Sequence, residues 1–87
     1  MYFGPATQQG KTLTLSNEGG TGEHAACVSV LDGSGSGQYR RIIGWQKGAP
    51  SHNQTITLDL PFETSIDETS LVQLGTCHMM MIFHDNY

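Results

Sequence analysis

Residues 33–45, Gly33-Ser-Gly-Ser-Gly37-Gln38-Tyr39-Arg40-Arg41-Ile42-Ile43-Gly44-Trp45, restrict the fold more than any other stretch of this chain. Glycine at every second position of the first five residues destabilises a helix and permits backbone angles closed to other residues, so the segment folds as a tight loop. The β-branched and aromatic residues that follow favour a strand. Elsewhere no window repeats apolar residues at helical spacing for three turns, because glycine or β-branched residues interrupt every candidate. Strand signals recur instead. Thr12-Leu-Thr-Leu15 alternates, and Thr55-Ile-Thr-Leu-Asp-Leu60 places Ile56, Leu58 and Leu60 on one face.

Further strands are expected over 25–31, closed by the turn pair Asp32-Gly33, over 39–46, over 71–74 and over 77–84. The 39–46 and 55–60 strands form the best hairpin candidate, joined by a loop rich in turn formers. Residues 61–70 alternate little and read as an irregular crossover. The class is therefore all-β, about six short strands with glycine-rich turns in a small sheet or barrel-like module, and no helix longer than about two turns. Residues 1–87 read as a single domain, with a soft boundary near 16–22.

The bulk numbers narrow the partners. With 37% hydrophobic residues, 14% charged residues and 11 glycines, the chain has thin material for an independent core. Self-association, neighbouring sequence or dense backbone pairing has to help. Strand edges expected at 12–15 and 77–84, together with the apolar run 79–83, favour a homo-oligomer. The net charge of −4 argues against nucleic acid, which requires a basic surface. No run approaches the length that crosses a bilayer, and the first residues lack the pattern of a secretion signal, so the chain reads as a soluble protein without membrane insertion.

The candidate chemistry is sparse. Gly33, Gly35 and Gly37 open a strand rather than a helix, so they do not form a nucleotide cradle. His24, Cys27, Cys77 and His78 could supply a tetrahedral metal site if their strands were neighbours, but neighbouring strand residues face opposite ways. Two free, buried thiols are the favoured reading of Cys27 and Cys77, with a disulfide as the alternative and metal as the outlier. His84 and Asp85 with His24 or His52 would be the general-base candidates, and Asp59, Glu63, Asp67 and Glu68 the candidate acids of a glycosidase pair. No catalytic residue, metal or cofactor is assigned. Tyr39, Arg40, Arg41 and Trp45 are the candidate ligand-binding residues, because sugars stack on aromatic faces and arginine forks grip carboxylates. Arg40 and Arg41 should point to opposite faces, one tied to an acid from Asp59 or from 67–70, the other more exposed.

Three elements in order carry a family resemblance: Gly33-x-Gly-x-Gly37-Gln38-Tyr39-Arg40-Arg41, then Leu60-Pro61-Phe62, then Asp67-Glu-Thr-Ser70. Together they resemble a small β module attached to right-handed parallel β-helix proteins of the pectate-lyase-like and phage-tail types. The resemblance covers residues 25–87 and implies that Ile82 to Tyr87 begins the β-helix coils. Catalytic acids in such proteins generally sit on the coils, so the resemblance implies a non-catalytic structural or interaction module, one that is carbohydrate-associated and secreted or at the cell surface within a longer parent. The rivals are a small polysaccharide-acting hydrolase or lyase, and a metal-binding protein.

Overall fold

The computed structural model describes residues 1–48 and 53–78. Six strands run in the order β1 (Tyr2–Gln9), β2 (Thr12–Leu15), β3 (Cys27–Asp32), β4 (Tyr39–Gln46), β5 (Thr55–Leu58) and β6 (Leu71–Gly75). They close into an antiparallel barrel with neighbours β1-β2-β5-β4-β3-β6. The meander β3-β4-β5 is followed by a long connection that returns β6 to the side of β3, which is a Greek key. The β1-β2 hairpin then fills the gap between β6 and β5 and closes the barrel.

Alternation along the strands builds the core. Leu13, Leu15, Ile56, Leu58, Val72, Leu74, Val28 and Val30 point inward, joined by Tyr2 and Ala6 from β1. Phe62 and Ile66, from the connection after β5, are also buried against this core. A barrel of so few strands has an interior that side chains fill.

Five of the six expected strands have counterparts within two residues at each end, including the β4–β5 pairing, and the fold class is as expected. The first and last strands differ. Tyr2–Gln9 escapes an alternation reading because Gly4 and Pro5 interrupt it, yet Tyr2, Gly4 and Ala6 are the buried positions. Glycine is needed there: a Cβ on Gly4 would lie 3.1 Å from the Tyr2 hydroxyl, and one on Gly19 only 2.6 Å from its ring. At the other end Cys77 and His78 take helical rather than strand geometry, since β6 stops at Gly75. The remainder of the expected 77–84 strand lies outside the described residues, as do the 79–83 run, His52, the His84–Asp85 pair and the 82–87 segment. Leu60 lies beyond the end of β5 and is exposed rather than inward.

The expected edge at Thr12–Leu15 is paired on both sides, with β1 and with β5. In β4, a register shift between Ile42 and Gly44 inserts one extra residue opposite β5. Such a bulge shifts the phase of alternation. Ile42 therefore packs on the core before the bulge and Trp45 after it, while Ile43 is left exposed.

Candidate functional site

The three motif elements meet at one end of the barrel and hold one another. Gly33, Gly35 and Gly37 all have positive φ, so the loop turns tightly enough to lie against residues 61–70. The Gln38 side chain donates to the carbonyls of Gly35 and Thr64 (both 2.9 Å) and accepts from the amides of Glu63 and Thr64. The Ser34 hydroxyl donates to the Ser65 carbonyl at 2.7 Å, and the Ser70 hydroxyl donates back to the Ser34 carbonyl at 2.6 Å. The Ser34 amide donates to the Thr69 hydroxyl. Asp67 closes its own turn by accepting from both the amide and the hydroxyl of Thr69, and these bonds hold its carboxyl below the usual aspartate value. Loop and crossover form a clasp over Phe62 and Ile66.

The two arginines divide as strand geometry requires. Arg40 is half-buried: its Nε donates to the Pro61 carbonyl at 3.1 Å, and its guanidinium stands 5.5 Å from the centre of the Phe62 ring. Its Nη1 also donates to the Tyr39 carbonyl at 2.7 Å, so its partners are two backbone carbonyls and an aromatic face, not the expected carboxylate. Arg41 is exposed on the outer face, directly across from Cys27 on β3. Among the described residues no carboxylate comes within ion-pair distance of it; the ion pair there is His24 Nε2 to Glu23 at 3.2 Å.

Tyr39, Arg40, Arg41, Asp59, Cys27 and Cys77 line one surface groove of about 380 Å³. Strands β3 and β4 supply the floor, and Asp59 is fixed where its amide donates to the Arg41 carbonyl at 3.0 Å. Tyr39 is 41% exposed at the rim. Trp45 is at the far end of β4, packed on the core, with its indole N–H donating to Gln54 Oε1 at 2.9 Å. Three of the four candidate ligand residues are therefore brought together, and Trp45 is not among them.

Cys27 and Cys77 form a disulfide, which corrects the favoured reading of two free thiols. Joined in this way, the sulfurs cannot serve as zinc thiolates. His24 and His78 are exposed, and among the described residues no group of three metal-ligating side chains gathers. The acids are likewise dispersed: Asp59 lines the groove, whereas Glu68 lines a separate depression with Pro5, Thr14 and Ser16.

Two polar anchors were missing from the sequence reading. Gln54, 5% exposed, accepts from the Gly22 amide and the Trp45 indole and donates to the Gly20 carbonyl. The Tyr2 hydroxyl donates to the Pro5 carbonyl and accepts from the Ser16 amide at 2.9 Å. Burial of Tyr2 raises its pKa, and the Ser16 bond offsets only part of that. Neither residue belongs to a motif, and only the closed barrel brings their partners together.

Comparison with protein-family models, curated proteins and solved structures finds no match.

Proposed function

We propose that this domain is a non-catalytic structural or interaction module, of the kind carried by right-handed β-helix proteins, that meets polysaccharide through the groove of Tyr39, Arg40, Arg41 and Asp59. The observation that carries this reading is the clasp. The polar side chains at the heart of the resemblance, Gln38, Ser34, Asp67 and Ser70, are bonded to the chain itself, so their role is to frame the domain. Beside this frame, the Tyr39 ring and the Arg41 guanidinium face solvent over one groove, an aromatic plate next to a donor fork, which suits a hydroxylated and acidic ligand. The Cys27–Cys77 disulfide supports an oxidising setting, secreted or at a cell surface. Among the described residues no helix is long and apolar enough to cross a membrane.

A glycan array read beside a reducing-sugar assay tests this. Retention of glycans that weakens in Tyr39→Ala and Arg41→Ala, without release of reducing ends, is the expected result. Released reducing ends would move the reading to the hydrolase or lyase rival. No retention on any glycan would remove the carbohydrate partner.

A further inference from the structure

The groove has a second chemical feature, independent of any saccharide: the disulfide opens onto it. Both cysteines line its wall together with Arg40, Arg41 and Asp59. The two sulfurs are unlike. Cys27 is 2% exposed, held on the outer side of β3, while Cys77, just past the end of β6, is only partly buried. Arg41 is the cross-strand neighbour of Cys27, and directly opposed residues have Cβ atoms about 5 Å apart on the same face. The guanidinium of Arg41 therefore stands on the Cys27 side of the bond.

We propose that this groove is a thiol–disulfide exchange site for a small anionic thiol, one that carries carboxylates. The thiolate of the incoming molecule attacks the Sγ of Cys77, the less buried of the two cysteines. A bond forms between the two sulfurs, the Cys27–Cys77 bond breaks, and Cys27 Sγ leaves with the electron pair as a thiolate. Arg41 stabilises that charge, and a leaving thiol of lowered pKa departs faster. The product is a mixed disulfide on Cys77 and a free thiol on Cys27. A second molecule of the same thiol then attacks the mixed disulfide, releases its own oxidised dimer and leaves Cys77 as a thiol, so two thiols are oxidised as one disulfide is reduced. Arg41, which is exposed, attracts the carboxylates of the incoming thiol, and Arg40, although its fork is bonded to the Pro61 and Tyr39 carbonyls, adds its charge to the same lining. Asp59 opposes them with one charge against their two. The chain is thus a stoichiometric two-electron acceptor for the thiol, and Cys77, just past the end of β6, is no longer tied to β3.

The oxidised full chain is treated in separate reactions with reduced glutathione (anionic), 2-mercaptoethanol (neutral) and cysteamine (cationic). Rates are compared per thiolate at low salt, acid-quenched, and the adduct is mapped by mass spectrometry. Electrostatic steering into a charged cleft predicts glutathione faster than cysteamine by about tenfold or more, with the adduct on Cys77. That ratio should contract in Arg41→Gln, checked for folding by circular dichroism. It should also contract for the unmutated chain in high salt, which needs no variant. Equal rates for the three thiols, an adduct on Cys27, or reaction only in denaturant would each overturn the proposal. Failure of the glycan array leaves these readouts unaffected, so the two readings fail separately.

Discussion

Gly33 is the least replaceable residue of the clasp. Its φ is +78°, and a Cβ built on it would lie 2.0 Å from the Thr69 carbonyl oxygen, a backbone atom that cannot give way. Gly37 has a φ of +94° and nothing within 4 Å of such a Cβ. Gly33→Ala should therefore cost ~3 kcal/mol or more, combining a clash with strain, and Gly37→Ala ~1–2 kcal/mol from the backbone alone. Urea unfolding of the two variants checks the order. The arginines give a second contrast. Arg40→Ala loses a charge-assisted bond to Pro61 and the contact with Phe62, which at a half-buried position is about 2 kcal/mol. Arg41→Ala should stay within ~0.5 kcal/mol, as an exposed substitution does. Equal melting of both variants with the parent would mean that Arg40 does not hold the crossover. Positive φ at the glycines, the bonding of Gln38 to its loop and the unequal arginines could all be read from residue type and spacing. The carbonyl that Arg40 bonds could not, because every residue offers one and only the folded crossover presents that of Pro61.

Among the strands, those with clean alternation, Thr12–Leu15 and Thr55–Leu58, were readable in the sequence. β1 was not, since its inward positions are a glycine and an alanine beside Tyr2 rather than branched apolar residues. The consecutive Ile42 and Ile43 hide the bulge that turns Trp45 into the core. The crossover was recognisable as irregular, and the Asx turn at Asp67 that shapes it has a measurable pH signature. The bonds from Thr69 favour the charged carboxylate, so the folded pKa lies below the unfolded value. The contribution is then present above the unfolded pKa and is lost as pH falls through the folded one. Stability of the unmutated chain should be flat in this respect down to the ordinary aspartate range, then decline in more acid solution. Asp67→Asn, unfolded by urea at a series of pH values, should be less stable than the parent near neutrality, and the gap should close in acid. A gap that stays constant with pH would show that the charge of Asp67 is immaterial to the turn.

The closed barrel resolves how so short a chain assembles a core, and it relocates two expectations. Thr12–Leu15 has partners on both sides, so among the described residues the proposed self-association would run through exposed side chains such as Met1, Phe3, Ile43 and Leu60. A light-scattering mass near the 9.4 kDa of one chain would remove that proposal. Cohesion that was expected from a partner comes in large part from within. The disulfide closes a loop with a sequence separation of 50, a crosslink that lowers unfolded-chain entropy by an amount worth about 4 kcal/mol. It was only the second choice for the two cysteines, because spacing along the chain does not say that the end of β6 returns to β3. A domain of this length has a total stability of about 4–13 kcal/mol, so the crosslink is a large part of it. Cys27→Ser/Cys77→Ser should therefore unfold at a much lower urea concentration than the oxidised parent, with a steeper transition, because the unfolded chain without the crosslink is more expanded and exposes more surface. The reduced parent should follow the double variant rather than the oxidised chain. If the double variant instead unfolds at the oxidised midpoint, the barrel is held by its ladder and its apolar interior alone, and the disulfide is left free to serve the groove it lines.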